Sequence, residues 1–303
     1  MAFYRSNAHM QSKLAELIDK FAKDGRPGLH NSIAITWIKY SKNNPEPSSG
    51  EGASWCEEKL IYPASVVKLI FAIAAEAWIQ KEIIPESNEL RHAIQDMIID
   101  SSNDATSLVI DLLTGTTSGP SMQPNKWEQW KEQRQLINKW LESLGWPENN
   151  EINCCQKTWN EAPYGREKNF YGPGRVNQNV LNTKFTARIL EAVMTNNIVS
   201  PPACKRIKSL LSRSLDLNQR RGDPNNQIDG FLGEGLTNGS RIWSKAGWMS
   251  QVRHDAAWFS NSKSNPMLLV VFCQGRQLAN DTFLLPAIAS ELIKETSQES
   301  LSN

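Results

Sequence analysis

The stretch YPASVVKLIFAIAAEAWI, residues 62–79, decides how the chain is interpreted. From Val66 onward it is almost entirely apolar or small, which predicts a helix buried on most of its surface. Lys68 nevertheless lies near the start of this helix, where burial disfavours the charged ammonium. Ser65 precedes it by three residues, so the two side chains are expected on one face of a helix.

This pair of residues has a chemical and a structural explanation. Pro63 and Ala64 suit a helix N-terminus, where backbone N–H groups lack intrahelical partners. Ser65 would then offer a nucleophilic oxygen beside donors for an oxyanion, and Lys68 would act as its base. The alternative is a capping serine and a lysine whose end reaches solvent. For this spacing taken alone, the alternative is the more frequent case.

Composition excludes several classes of function. The 303 residues suffice for one large domain or two smaller ones, and a formal net charge of +1 gives little electrostatic attraction for nucleic acid. No apolar run reaches 18 residues, so no membrane span is predicted. The cysteines are five, an odd number, with one adjacent pair and no CxxC, and the four histidines are scattered, so neither a disulfide framework nor a metal site is predicted. The chain is expected to bind no cofactor and to be a monomer.

The N-terminus is amphipathic and polar, unlike the basic start and apolar run of a signal peptide. The chain as written is therefore expected to be cytoplasmic, or periplasmic or secreted if an export signal has been removed.

Periodicity predicts helices and strands at both ends of the chain and a helical middle. The first predicted helix ends near Asp24. Two more, broken at DSSND, lie within 88–113, and the later ones span 125–144, 184–196, 201–213 and 280–295. The predicted strands are 32–40, 241–246, 252–260 and 267–274. This pattern indicates an α+β fold whose antiparallel sheet is built from both termini and flanked by helices. An α/β subdomain is predicted from residues 1–60 and 197–303. A helical subdomain is predicted for 61–196, with a long irregular loop at 147–183.

Two further short motifs carry polar residues. Ser101 and Asn103 lie in DSSND between two helices, where a loop can present side chains. Their simpler interpretation is a helix cap. Lys245-Ala246-Gly247 ends a predicted strand, and the glycine would allow a substrate to approach the backbone. Its simpler interpretation is a strand end with an exposed lysine.

Taken together and in this order, the three motifs resemble SxxK, SxN and KTG of the penicillin-recognising serine enzymes, and most closely class A β-lactamases. The resemblance extends over the whole chain and implies the β-lactamase/transpeptidase-like fold. It implies that Ser65 becomes acylated and that Lys68 helps to remove its proton. Ser101 would relay a proton to the departing nitrogen, Lys245 would attract a substrate carboxylate, and Asn103 would bind the substrate amide.

The resemblance also implies an oxyanion hole from the backbone N–H groups of Ser65 and Trp248. Ala246, however, stands where the family has threonine or serine, so a hydroxyl expected to contact the substrate carboxylate is missing. Arg253, on the next predicted strand, would compensate for it, unless it is an ordinary surface arginine. Only 32 residues separate Lys68 from Ser101, which predicts a more open site than is usual in class A enzymes.

A third departure concerns hydrolysis of the acyl group. The ExxLN motif of class A enzymes is best matched by QKTWNEA, residues 156–162, which puts Gln156 in the place of the glutamate. A glutamine cannot accept a proton as a general base. Asn160 aligns with the family's asparagine and is expected to bind substrate. Slow deacylation follows, unless Glu161 or Glu167 substitutes, or unless this loop is only a surface segment.

Three functions remain open from the sequence. The first is a class A β-lactamase that opens β-lactam amides through a Ser65 acyl-enzyme. The second is a penicillin-binding D-alanyl-D-alanine peptidase, or another amidase or esterase, acting on peptidoglycan-like peptides. The third is a non-catalytic binding protein of the same fold, against which the five intact motif residues argue. The polar segment 114–130 has no role that follows from the sequence.

Overall fold

The computed structural model describes residues 3–237, 239–261 and 264–299, so residues 1–2 and 300–303 of the predicted α/β subdomain lie outside the described part. Within these ranges no helix is both long and apolar enough to cross a membrane. The chain divides into two compact units, Met1–Val66 with Asn182–Asn303, and Val67–Leu181. They are called the sheet unit and the helical unit below.

The described strands all belong to the sheet unit. They are β1 (Arg5–Ser6), β2 (Ile33–Lys39), β3 (Glu51–Trp55), β4 (Ser212–Arg213), β5 (Ser240–Met249), β6 (Val252–Asn261) and β7 (Ser264–Gln274). They form one sheet in the order β1-β3-β2-β7-β6-β5-β4. The pairings are antiparallel except for β1 with β3, which is parallel over two residues. The predicted α+β architecture with a sheet from both termini is confirmed, with this one short parallel pair added.

The middle strand of the sheet, β7, lies at the centre of the core. Every residue from Met267 to Cys273 is buried, so both faces of the strand are covered. A strand buried on both faces has a continuous apolar sequence rather than an alternating one. On one face, Leu14 of the N-terminal helix, Ile35 of β2 and Ile288 of the C-terminal helix belong to a single apolar cluster.

Strand β3 was not predicted, because its first four residues fall in a stretch rich in Ser, Gly and Pro that indicates a loop. In the structure, Glu51–Trp55 pairs with β2 from Lys39 to Ile35. Gly52 lies so close to that strand that an added Cβ would be 2.4 Å from the Trp37 carbonyl oxygen. Tertiary pairing therefore overrides the local preference of this segment.

The helices surround the sheet or form the second unit. They are α1 (Ala8–Lys23), α2 (Leu29–Ser32), α3 (Val67–Gln80), α4 (Asn88–Ile99), α5 (Asn103–Thr114), α6 (Pro124–Arg134), α7 (Leu136–Ser143), α8 (Gly165–Tyr171), α9 (Thr183–Met194), α10 (Pro201–Leu211), α11 (Leu217–Arg221), α12 (Arg276–Asn280) and α13 (Leu284–Glu299). The single helix predicted over 125–144 is two helices, α6 and α7, whereas the C-terminal helix predicted over 280–295 is α13.

Helix α9 belongs to the sheet unit, although the sequence-based division places it in the helical subdomain. Its first residue, Thr183, accepts a hydrogen bond of 2.9 Å from the Thr36 hydroxyl on β2. Near its end, Glu191 accepts one of 2.9 Å from the Tyr40 hydroxyl. These two buried contacts fasten α9 along the sheet, so the second boundary lies near residue 182 and not near 196.

Candidate active site

Ser65 lies on a short 3-10 turn, Ala64–Val66, at the end of the sheet unit's first segment. The turn closes with a hydrogen bond of 3.1 Å from the Val66 N–H to the Pro63 carbonyl. Ala64 has φ of 46°, a left-handed conformation that is unfavourable for an alanine by about 1–3 kcal/mol. Ser65 itself is partly exposed. Strained backbone of this kind is frequent at active sites, where surrounding structure holds it in place.

Strand β5 passes directly against this turn. A Cβ added to Gly247 would lie 2.8 Å from the Pro63 carbonyl oxygen and 3.0 Å from the backbone nitrogens of Ser65 and Val66. Only glycine allows this approach, because real Cβ atoms do not come so close to backbone atoms. The end of β5 and the Ser65 amide are therefore held together, which is the arrangement that two backbone donors for one oxyanion require.

His254 lies on β6, opposite Gly247, and binds the segment that leads into the Ser65 turn. Its Nδ1 accepts a hydrogen bond of 3.1 Å from the Cys273 N–H, so the ring proton is on Nε2 and is donated to the Tyr62 carbonyl, 2.9 Å away. Complete burial lowers the pKa of His254 to about 4. The ring is thus neutral at neutral pH. It holds the Tyr62 carbonyl, three residues before Ser65, in a fixed position.

Lys245 is fully buried on β5, and its ammonium donates a hydrogen bond of 2.6 Å to Oε1 of Gln227. The same oxygen accepts a bond of 3.3 Å from the Ala246 N–H. Gln227 thereby orients the lysine along the strand. The sequence did not single out Gln227, because it lies in a polar loop without periodicity. The Ala246 methyl belongs to the apolar cluster under the sheet, so the missing hydroxyl would have been buried there.

The expected substrate contact by Arg253 is not what the structure shows. This arginine is only 7% exposed, and its guanidinium stacks 4.8 Å from the Phe231 ring centre. It donates hydrogen bonds to the carbonyls of Ala279 (3.0 Å) and Gly230 (3.2 Å). These main-chain contacts occupy the group that was predicted to compensate for Ala246. Trp248 is half exposed and its indole N–H also binds the Ala279 carbonyl, at 2.8 Å.

In the helical unit, Lys68 is the second residue of α3 and its side chain is fully buried. Its Nζ donates to the Ser101 carbonyl, to Oδ1 of Asn103 at 2.7 Å and to Oγ of Ser101 at 3.3 Å. Ser101 has a left-handed φ of 57°, and both of its oxygens accept hydrogen bonds from the lysine. Burial lowers the pKa of Lys68 to about 7. Among the described residues no carboxylate forms an ion pair with it.

Asn103 connects this lysine to the irregular loop. Its Oδ1 accepts a second hydrogen bond from the Thr158 hydroxyl (2.7 Å), and its Nδ2 donates to Oδ1 of Asn160 (2.6 Å). The asparagine amide is therefore fixed at both ends. Of the loop residues predicted for the site, Asn160 joins this cluster, and Thr158 is an addition that the motif alignment did not indicate.

Gln156, predicted to stand in the glutamate's place, does not join the cluster. Its backbone N–H and carbonyl pair with the Asn179 side chain, each at 2.8 Å. Its side chain is fully buried, and within the described part of the chain neither amide atom has a hydrogen-bond partner. The residue that reaches Asn103 is two positions later. The motif alignment therefore puts the glutamate position on a residue whose side chain forms no hydrogen bond with Lys68 or Asn103 in the described part of the chain.

Glu167, considered as a substitute base, is committed to a buried ion cluster. Its carboxylate binds Arg134 and receives a hydrogen bond of 2.8 Å from Ser118, while Lys157 lies 3.7 Å away. Lys157 also donates to Asp111 at 2.7 Å. Glu161 is exposed. The cluster joins α5, α6 and the irregular loop.

Residues 114–121 belong to the segment 114–130, for which the sequence predicted no role. They form hydrogen bonds with the irregular loop. The Gly119 carbonyl accepts from the Arg166 N–H, and the Pro120 carbonyl accepts from Arg166 Nε, both at 2.9 Å. Gly165 lies against it so closely that an added Cβ would be 2.1 Å from the Gly119 oxygen. The segment thus supports the loop that carries Thr158 and Asn160.

The Glu167→Gln variant is expected to lose about 3–5 kcal/mol of unfolding free energy, because it leaves buried Arg134 and Lys157 with too little negative charge. Urea denaturation measures this loss. Glu132→Gln, an exposed change on α6, is the matched control and should alter stability by less than about 0.5 kcal/mol. Equal effects of the two variants would show that the cluster is not an important stabilising element.

No group of His, Cys, Asp and Glu residues able to hold a metal ion occurs in the described ranges. The polar residues of the three motifs fall into two clusters. The sheet unit presents a partly exposed serine on a strained turn, and the helical unit presents a buried lysine bonded to a serine and an asparagine. Together with the fold, these features are typical of the β-lactamase-type serine hydrolases.

The comparisons with known proteins agree with this class. The model of the β-lactamase enzyme family matches residues 77–296, which is more than two thirds of the chain. The chain belongs to this family. The matched range contains Ser101, Asn103 and Lys245, whereas Ser65 and Lys68 precede it. No curated protein matches the chain.

Many solved structures resemble the fold. A β-lactamase from Sphaerobacter thermophilus is 16% identical, with 93% of this chain and 98% of that chain covered and a TM-score of 0.60. PBP-A is 15% identical, with 99% and 98% covered and a TM-score of 0.61. An ancestral class A β-lactamase of Gram-negative bacteria is 14% identical, with 94% and 99% covered and a TM-score of 0.62. At these identities the similarity shows the fold alone.

Proposed function

We propose that this protein is a serine hydrolase that reacts with β-lactams through Ser65 and releases the acyl group slowly. The observation that carries the proposal is the environment of Lys68, a buried lysine whose pKa is lowered to about 7 and whose side-chain partners are oxygens of Ser101 and Asn103. Such a lysine is available as a neutral base near pH 7. Ser65, three residues earlier, is its proposed proton donor.

The proposed acylation has two steps, addition to the lactam carbonyl and loss of the lactam nitrogen. Oγ of Ser65 forms a bond to the lactam carbonyl carbon, and its proton passes to Lys68. The carbonyl oxygen becomes an oxyanion near the backbone N–H groups of Ser65 and Trp248. When the carbonyl re-forms, the carbon–nitrogen bond breaks, and Ser101 relays a proton to the departing nitrogen. Lys245, oriented by Gln227, supplies positive charge for the substrate carboxylate.

Slow release of the acyl group follows from the loop. The loop residue that binds Asn103 is Thr158, and its hydroxyl is a poor general base. Asn103 and Asn160 are proposed to bind the amide side chain of the substrate and to order a water. This water would lack a carboxylate to remove its proton.

The same observation favours a second candidate, a penicillin-binding D-alanyl-D-alanine peptidase acting on peptidoglycan-like peptides. No described carboxylate forms an ion pair with Lys68, and without a carboxylate to activate water a β-lactam would remain attached as an inhibitor. A mutant of PBP-A, which shares the fold, is known as an acyl-enzyme complex with penicillin G.

One experiment separates these functions. The chain is mixed with a chromogenic cephalosporin while colour and intact mass are followed, with Ser65→Ala as control. Sustained colour supports a β-lactamase, whereas a burst and a lasting adduct that Ser65→Ala abolishes supports the slow hydrolase or the peptidase. Release of D-alanine from an acyl-D-alanyl-D-alanine peptide would then identify the peptidase. An unchanged mass without colour would refute the reaction with β-lactams.

The acylation rate is expected to depend on pH through Lys68. Because burial lowers the pKa of this lysine to about 7, its neutral form increases as the pH rises through 7. The rate constant should therefore rise about tenfold per pH unit below 7 and level off above about 8. Rapid-quench mass spectrometry between about pH 5.5 and 9 measures it. A flat profile, or one that rises only near the ordinary lysine pKa, would contradict a Lys68 base.

A further inference from the structure

The sheet unit contains a cleft of about 490 Å³ that none of the proposed chemistry uses. It lies between the segment 43–47, the connection of α9 to α10, and the ends of β5 and β6 that are remote from Gly247. Arg241, Trp243 and Lys245 share one face of β5, because alternate residues of a strand point the same way. Arg241 and Lys245 are four residues apart, or about 13 Å along the strand. The cleft is therefore separate from the Ser65 turn.

The first sign of a ligand is Lys208, which lines this cleft from α10. Its Nζ donates to Oδ1 of Asn196 at 2.7 Å and to the Met194 carbonyl at 3.3 Å, so both of these acceptors are neutral. Burial lowers the pKa of Lys208. The ammonium is partly buried, and within the described residues no carboxylate forms an ion pair with it.

The second sign is Arg241, on the other side of the cleft. Its guanidinium lies 5.6 Å from the centre of the Trp243 ring, and it forms no ion pair with any residue that the structure describes. A guanidinium that stacks on an aromatic ring can also bind a carboxylate or phosphate with two parallel hydrogen bonds. Two cations that form no ion pair with a described residue thus border one cavity.

The walls of the cleft indicate the rest of the ligand. Trp243, Met194 and Pro266 provide apolar surface, and the exposed side chains of Asn43 and Asn44 provide amide donors and acceptors. The single acidic side chain among the residues lining the cleft is that of Glu46, which is exposed and opposes an anion. The lining therefore carries a net positive charge over a partly apolar floor.

We propose that this cleft is a second binding site, which takes a small organic anion whose carboxylate or phosphate lies between Lys208 and Arg241 and whose body packs on Trp243. Carboxylates and phosphates share the chemistry that recognises them here, and the two are distinguished by experiment. The site does not depend on acylation of Ser65, so it stands or falls separately from the proposed function.

Isothermal titration of the full chain tests this site with phenyl phosphate and benzoate as probes. Inorganic phosphate supplies the charge without the apolar body, and benzyl alcohol supplies the body without the charge. We expect at least one organic anion to bind about tenfold more tightly than inorganic phosphate, with no binding of benzyl alcohol at about 10 mM. The tighter of the two organic anions identifies the anionic group that the site prefers.

Charge variants give the direction of each effect. Lys208→Gln and Arg241→Gln should each weaken binding about two- to fivefold, and Glu46→Gln should strengthen it by a similar factor. Lys205→Gln changes an exposed lysine on the same helix outside the cleft and should have no effect. Failure of both organic anions to bind at about 10 mM would overturn the proposal. It would also be overturned if Lys205→Gln acted like Lys208→Gln, or if inorganic phosphate bound as tightly as the organic anions.

Discussion

Replacing Thr158 by glutamate is expected to raise the rate at which the Ser65 acyl group is hydrolysed by about 10²- to 10⁴-fold, the usual contribution of a general base. The Thr158 hydroxyl is 2.7 Å from Oδ1 of Asn103, which in turn is 2.7 Å from Lys68 Nζ. A carboxylate at this position would adjoin the lysine and the two asparagines, where it can remove a proton from water. The decay of the acyl-enzyme mass after mixing with a penicillin measures the rate.

Two control variants separate this position from its neighbours. Thr158→Gln adds similar volume without a base and should leave hydrolysis slow. Gln156→Glu puts the carboxylate where the motif alignment places it, yet that side chain is fully buried and lacks hydrogen-bond partners among the described residues. It should destabilise the fold without accelerating hydrolysis. If Gln156→Glu restores turnover and Thr158→Glu does not, our placement of the loop is wrong.

Replacing Gly247 by alanine is expected to slow acylation of Ser65 by about 10²- to 10³-fold, the effect of losing one oxyanion donor. The new methyl group would lie 3.0 Å or less from backbone atoms of Pro63 and Ser65. Because these neighbours are backbone atoms, β5 or the turn must shift, and the two proposed donors then no longer converge. Stopped-flow measurement of the cephalosporin burst gives the rate.

Gly222→Ala is the matched control for this variant. An added Cβ at Gly222 meets nothing within 4 Å, and the residue has φ of −90°, which alanine readily adopts. Its acylation rate should equal that of the wild type. A Gly247→Ala protein that is fully folded by circular dichroism and acylates normally would show that the close approach of β5 is not needed for catalysis.

Much of the architecture could be predicted because it depends on local pattern. The buried run of β7 and the amphipathic N-terminal helix indicated a sheet built from both termini, and the structure agrees. β3 was missed because its Gly- and Ser-containing sequence has no strand pattern of its own, and only pairing with β2 makes it a strand. The end of the helical subdomain was misplaced because the contacts of α9 with Thr36 and Tyr40 cannot be read from the helix itself.

The candidate site divides in the same way. The sequence alone determined that a serine and a lysine lie one helical turn apart, followed by an SxN and a KxG motif, since spacing within one element follows from backbone geometry. Packing of the folded chain was needed to show that Thr158 and not Gln156 binds Asn103, and that Gln227 binds Lys245. Thr158 lies 55 residues from Asn103 in the chain, on an irregular loop. Such a loop has no periodicity to predict which side chains point inward, so their direction is set by what packs against them.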